Sequence, residues 1–453
     1  MMIPWTITDE EKALAEKCLG FLKDAGASGA RITLNKSLSD IFTLLNGELD
    51  KVTHSGDKAI LMMVLADGKY GSFSTNRFDE AELENFAREA VRTVRMMAPD
   101  PCRALPDPSR TAKNAVTGLE MDLYDKEYEN MEPERMLGIA KEASHWGKAE
   151  GGARLISEEC EFSDTISDEY IIDSNGLMCR DIESSFDIGC ESTVEDGGRK
   201  YSGYWWDSSP RFRELDVNSC GKRAYGMAAA KVGPKEVKPG KRTMVVSNLV
   251  SGRLLSPVLS ALGGYSIQQK NSFMLDSLGR QIFPKGLRIT DRPAEKGVLG
   301  SKLYDSEGVA EVTRPIVEDG VVKTYFINTH ISGKLGIPPT VEAPTRPCVS
   351  PFRAGSTVPE TFGEKEIMSL CGDGILVTGF NGGNSNSATG DFSYGAEGFA
   401  FADGKIVHPV EDLVITGNFI TLWNSLLAAG NDALKCTARQ VPTLAFKDVY
   451  FSA

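Results

Sequence analysis

Histidine and cysteine are the side chains that most often hold a metal or move protons near neutral pH, and this sequence scatters them. Its four histidines are His54, His145, His330 and His408. No two can share one helix turn, so the HExxH zinc arrangement is absent. The nine cysteines, at 18, 102, 160, 179, 190, 220, 348, 371 and 436, include no CxxC. An odd number cannot all pair, and buried thiols in a reducing compartment are the simplest reading. His330, in FINTHISGKLG, follows a strand-like run and suits either a pocket acid–base or a satisfied structural histidine. Asp305, Glu307, Asp319 and Asp391 have no spaced partner and read as solvated surface. Neither a GxSxG elbow nor a GxGxxG fingerprint occurs. The Gly/Asn stretch NGGNSNSATG (381–390) could turn backbone amides toward a ligand. It lacks the GKS/GKT ending of a P-loop, and it reads as a flexible or substrate-lining loop. Asn381, Gly382, Gly383, Asn384 and Thr389 are its candidate lining residues.

The elements that must position these residues follow from periodicity. Helical spacing over 9–25 puts Leu14, Cys18 and Leu22 on one face, with Gly26 as a stop. Strand-like stretches follow at 29–35, 39–46, 48–54 and 58–66, with hairpin signals at Asn46-Gly47 and Asp67-Gly68. An amphipathic helix over 79–97 closes an α-β4-α-like layer. The proline-rich segment 99–112 reads as a linker. The order then recurs: a helix at 133–149, strands near 153–162, 166–173, 177–191 and 199–206, and a helix near 213–231. A duplication and two unrelated layers are both compatible with this order. Beyond Gly233-Pro234, strands are predicted at 243–247, 309–317, 321–328, 374–380, 391–402 and 405–416, with helices at 248–262 and 418–429. The expected fold is α+β. Two α-β4-α-like layers (1–110 and 111–235) precede a mostly β C-terminal domain (236–453), barrel-like or a strongly curled sheet.

Composition narrows the function classes. A net charge of −13 over 453 residues, with no run of five basic residues, opposes binding to a phosphate backbone. The longest apolar run, Ala59 to Ala66, is far shorter than the ~20 residues a bilayer requires. The start, MMIPWTITDEEK, lacks the apolar core of a signal peptide. A cytoplasmic protein without a membrane partner is expected.

Several segments taken together resemble the TldD/PmbA family: LNGELDKV (45–52), APDPC (98–102), NSFMLDSLGRQIFPKGLRITDRP (271–293) and YDSEGV (304–309). TGDFSYGAEGFAFADGKIVHPV (389–410) and ITGNFITLWNSLLAAGND (415–432) belong to the same pattern. The resemblance spans nearly the whole chain and is greatest to the PmbA/TldE branch, once described as modulators of DNA gyrase and associated with peptide proteolysis. The TldD branch carries an HExxxH zinc motif directly before the segment matched by 271–293. Its histidines would stand about 140° apart on a regular helix, so the motif implies local distortion around the metal. The equivalent stretch here is SGRLLSPVLSALGG (251–264), with Ser256 and Ala261 at the histidine positions and Pro257 at the glutamate. None of these can supply the ligand set of a catalytic zinc or the general base that activates water. Cys436 falls near a further TldD ligand, but one thiol cannot hold the metal.

The resemblance therefore implies a non-catalytic TldE/PmbA-type subunit, with no cofactor of its own and no activity alone. Its zinc-bearing partner would be a TldD-type HExxxH chain, and unfolded or small peptides its substrates. A homodimer is the form open to the chain when alone. Two alternatives stay open: a self-sufficient hydrolase with a dispersed site around His330, and a DNA-topology modulator that acts by binding.

Overall fold

The computed structural model describes residues 5–148 and 152–452. Helix α1 (Asp9–Asp24) starts at Thr8, whose hydroxyl caps the Glu11 amide while Glu11 returns a bond to the Thr8 amide, and it buries Ala15, Cys18 and Leu22. Strands β1 (Gly29–Leu45), β2 (Glu48–Ala66) and β3 (Lys69–Thr75) follow. Asn46-Gly47 and Asp67-Gly68 join them with positive φ at all four residues, as two-residue hairpins require. Helix α2 (Glu80–Val94) lays Leu83, Ala87, Ala90, Val91 and Val94 inward. The second unit contains α3 (Pro133–Ala143), β4 (Arg154–Asp173), β5 (Met178–Asp196), β6 (Arg199–Ser209) and α4 (Cys220–Ala230). Residue 149, the predicted end of α3, lies outside the described residues.

The recurrent order is present, but each unit has three strands rather than the expected four. Stretches 29–35 and 39–46 are one strand, as are 48–54 with 58–66 and 153–162 with 166–173. The six strands form one antiparallel sheet, ordered β3-β2-β1-β4-β5-β6, which curls into a half-barrel. Strands β1 and β4 each cross two separate cores, while β2 lies on the first and β5 on the second. The first, under α1 and α2, holds Ile32, Leu34, Met62 and Val64; the second, under α3 and α4, holds Phe42, Phe162, Phe186 and Ile188. Between them runs a polar seam in which Asp40 pairs in register with His54 on β2 and Asp164 on β4. That seam breaks the apolar alternation, which is why β1, β2 and β4 each read as two strands, while β3 went unpredicted.

The C-terminal half begins with β7 (Gly240–Val246), α5 (Gly252–Ala261) and α6 (Gly264–Gln268). Short strands β8 (Ile289–Asp291), β9 (Arg314–Glu318) and β10 (Val321–Val322) lead to α7 (Thr329–Leu335), β11 (Pro347–Val349), β12 (Phe352–Arg353) and α8 (Glu364–Cys371). Then come β13 (Gly374–Ser385), β14 (Asp391–Ala402), β15 (Lys405–Asn418), α9 (Phe419–Asn424), β16 (Leu426–Ala429) and β17 (Leu444–Ser452). The pairing β7-β13-β14-β15-β17 returns from β17 to β7 and closes a five-stranded barrel, the curled domain expected from the sequence. The predicted strands 309–317 and 321–328 shrink to β9 and β10. The predicted helix 418–429 is α9 followed by β16. Helix α5 packs Leu254, Leu255, Val258 and Leu259 into the barrel core, where Trp423 meets Phe283 and Phe446 edge-on. The Trp423 indole N–H donates to the Leu254 carbonyl at 3.3 Å and so fixes the helix. Among the described residues no helix is long and apolar enough to cross a membrane.

Candidate functional site

Helix α5 carries the positions where the resemblance places a zinc motif. Its outward face presents Arg253, Ser256 and Pro257, while Ala261 is buried. The Ser256 hydroxyl donates to the Gly252 carbonyl at 2.8 Å and accepts from Arg439 Nη1 at 2.7 Å. Segment 437–441 lies alongside, held by a bond from Ser251 Oγ to the Val441 carbonyl at 3.0 Å. A guanidinium thus sits on the one hydroxyl a cation could have used, and neither Pro257 nor Ala261 offers a side-chain donor atom. The Cys436 thiol is pushed up to about 11 by burial, and a protonated thiol is a poor metal ligand. Among the described residues no group of three or more His, Cys, Asp or Glu side chains could hold a metal ion. The residues at these positions do not fit a zinc centre.

The Gly/Asn stretch is not a single loop. Residues 381–385 continue β13, and only 386–390 form the turn to β14. Register jumps from Asn381↔Gly395 to Asn384↔Ser393, so Gly382 and Gly383 bulge out of the ladder. Gly383 has φ +95°, and a Cβ there would collide with the Ser393 carbonyl oxygen, so glycine is required. Its neighbour Tyr394 lies under the Arg253 guanidinium, 5.0 Å from ring centroid to Cζ. This stacking brings the bulge and the exposed face of α5 into one neighbourhood.

Asn381 turns the other way and donates from Nδ2 to Glu397 Oε2 at 3.3 Å; Glu397 is ion-paired to Lys231 at 2.8 Å. Thr389 stands apart at the hairpin tip. The Asn386 side chain accepts from the amides of Ala388 and Thr389, and Thr389 Oγ1 donates to Asp391 at 2.7 Å. Asn418 Nδ2 donates to the Thr389 carbonyl at 2.8 Å and to Asp391 at 2.9 Å. Bonds from Asn418 and Thr389 hold the Asp391 carboxyl below the usual carboxylate range. These bonds tie the tip to the ends of β14 and β15, and the five candidate lining residues divide between two places.

A cleft of about 800 Å³ lies between α4 with β6 and the outer wall of the barrel. Trp205, Met227, Leu376, Phe399 and Val407 give it apolar walls, and Arg223 and His408 reach its edge. Ile406 and Val407 are more than half exposed there, at 51% and 59%. Its volume falls within the range of small-molecule sites. Sequence reasoning missed it because its walls come from elements far apart in the chain, from Trp205 to Leu434, and the local signal was the apolar pair Ile406-Val407 on an otherwise polar strand edge.

His330, on α7, is buried, and its Nε2 lies 2.9 Å from Asp100 Oδ2 in the proline-rich segment. Burial and the nearby Arg103 push the imidazole below its ordinary value. No hydroxyl or thiol is bonded to the ring, and Nδ1 has no partner in the structure. The pair clamps segment 99–112 to α7, which is the structural reading of this histidine. His330→Ala is therefore expected to lower the thermal midpoint by the equivalent of about 1–3 kcal/mol, as a clamp between the two segments requires. A variant that melts like the parent would contradict the clamp.

A half-barrel sheet under four helices, joined to a closed barrel packed around a helix without metal ligands, defines an architecture that known proteins share. Sequence models of the PmbA/TldA metallopeptidase domains match in order: domain 1 at residues 30–94, the central domain at 126–232 and the C-terminal domain at 239–453. The chain belongs to the PmbA/TldD metallopeptidase family. Metalloprotease PmbA of Escherichia coli O157:H7 is 25% identical over 416 residues, covering 91% of this chain and 89% of its own length. A Bacteroides thetaiotaomicron protein described as a candidate modulator of DNA gyrase has a crystal structure with TM-score 0.92 and 36% identity, covering 99% of this chain and 100% of that one. TldE from Thermococcus kodakarensis, at 16% identity, shares the fold with TM-score 0.80 over 97% of this chain and 100% of its own.

Proposed function

We propose that this chain is the non-catalytic, TldE-type subunit of a TldD/TldE zinc metallopeptidase that degrades unfolded or small peptides. Its catalytic partner is an HExxxH-bearing chain that holds the zinc. The observation that carries this reading is α5: Ser256 is engaged by Arg439, and Pro257 and Ala261 have no atom to ligate zinc or activate water. The role left for such a chain is to shape the path of the substrate. Support comes from the bulge at Gly382 and Gly383, which leaves main-chain groups outside the β13–β14 ladder beside Tyr394. Open backbone groups of this kind bind extended peptides with little sequence preference. We place the complex in the cytoplasm, a setting that suits nine unpaired cysteines. The net charge of −13 disfavours direct contact with DNA.

Metal analysis tests the reading. The purified chain, dialysed without chelator, is expected to contain no stoichiometric zinc. One zinc per chain that disappears in Ser256→Ala would contradict it. The triple change Ser256→His, Pro257→Glu, Ala261→His is expected to bind zinc only weakly. The Arg439 guanidinium stays at the site as a like charge, and the outer groups that orient ligand histidines are missing.

A further inference from the structure

Two arginines lie along the exposed face of α5. Arg439 donates to Ser256, and Arg253 stands one helical turn before Ser256, stacked on Tyr394. Neither has a carboxylate partner among the described residues, although the chain carries 63 Asp and Glu against 50 Lys and Arg. Elsewhere the exposed arginines of this acidic surface are commonly paired, as at Arg77 with Glu82 or Arg135 with Glu127. The same turn also has a main-chain feature. Pro257 lies inside the helix and has no N–H to give to the carbonyl of Arg253, four residues earlier. One patch therefore combines two unneutralised planar cations with the acceptor that the proline leaves without its helical donor, and the buried Tyr394 ring supports Arg253 from below.

We propose that this patch binds the C-terminal end of a peptide: Arg253 and Arg439 take the α-carboxylate, and the Arg253 carbonyl takes the N–H of the terminal residue. Guanidinium groups match carboxylates geometrically, and charge-assisted bonds are roughly twice as strong as neutral ones. A peptide anchored here would run over Arg253, which covers Tyr394, toward the exposed main-chain groups of Gly382 and Gly383. The site would thus orient the chain direction of a substrate or retain a cleaved product, with a guanidinium pair working where the TldD branch uses a metal. The inference rests on the peptide-processing reading and deepens it.

The test uses the purified full chain and a fluorescein-labelled Ala-Ala-Phe-Ala-Ala, as the free acid and as the C-terminal amide, with binding read by fluorescence anisotropy. The free acid is expected to bind about tenfold or more tightly than the amide, the value of one charged hydrogen-bond pair. Arg253→Gln with Arg439→Gln should bring the acid down to the amide's affinity without moving the amide. Arg439→Lys should restore part of the difference. Both arginines are exposed, so the variants should melt like the parent, and a thermal scan checks this. Equal binding of acid and amide, no binding of either, or a preference that survives the double substitution would overturn the site. So would inorganic phosphate displacing the acid at the peptide's own concentration, which would mark a non-specific anion surface. Cleavage by the complex with the HExxxH partner is scored separately, because the subunit role can stand when this site fails.

Discussion

Replacing Asp164 by asparagine is expected to stabilise the protein increasingly as pH rises from about 4 to about 8. Asp164 is fully buried in the seam between the two cores of the half-barrel, and neither carboxylate oxygen has a hydrogen-bond partner. The groups that face it are Asp40, directly across on β1, and the buried Tyr128 on the 3-10 turn Lys126–Asn130; His54 lies beyond Asp40, bonded to it at 2.7 Å. Burial, followed by the Asp40 charge, raises the Asp164 carboxyl to about 7. A carboxyl raised above its unfolded value favours the fold in its neutral form. The stability linked to it is therefore present at low pH, declines as pH climbs from the unfolded value toward 7, and stays lost above that. The loss is on the order of 4 kcal/mol for a rise of this size. Asparagine cannot ionise, and its amide can donate to Asp40. Thermal midpoints of parent and Asp164→Asn should nearly coincide near pH 4.5 and separate in favour of the variant near pH 8. Parallel curves at all pH values would show that Asp164 is not raised.

The second large effect is expected at Trp423. Its side chain is wholly buried where the barrel core meets α5, and it holds both the edge-on contacts to Phe283 and Phe446 and the bond to the Leu254 carbonyl. Trp423→Ala should cost about 3–5 kcal/mol through the cavity alone and release α5 from its fixed position. Trp423→Phe keeps most of the apolar contact and should cost less. Denaturant midpoints followed by a barrel probe would rank the parent above Phe and Phe above Ala. A multidomain chain need not unfold in one step, so the barrel transition is the quantity to follow. Indistinguishable Phe and Ala variants would assign the stability to the indole bond rather than to packing.

These two sites also mark where the sequence was and was not legible. Turn chemistry was local and could be read directly: Asn46-Gly47 and Asp67-Gly68 both adopt the positive φ values their residue types favour. Helix α2 was equally plain because its apolar stripe is continuous. The long strands were not, since the seam at Asp40, His54 and Asp164 imitates a turn while the backbone stays extended. Strand β17 was missed although Leu444, Phe446, Val449 and Phe451 are buried on it, because Lys447 and Asp448 form a bulge in the middle of its pairing with β7. At the site, the positions Ser256, Pro257 and Ala261 came from resemblance alone. Their partner Arg439 lies 183 residues away, a distance over which no spacing rule operates.

The most direct measurement of the central claim is peptide cleavage by this chain alone, by an HExxxH-bearing family member from the same cells alone, and by the two mixed, each after incubation with zinc. The account predicts cleavage of an unfolded peptide by the mixture and none by this chain alone. Activity of the mixture should vanish when the partner's motif glutamate is changed to glutamine, and should be indifferent to Ser256→Ala here. Cleavage by this zinc-loaded chain alone at the rate of the mixture, abolished by Ser256→Ala, would contradict it.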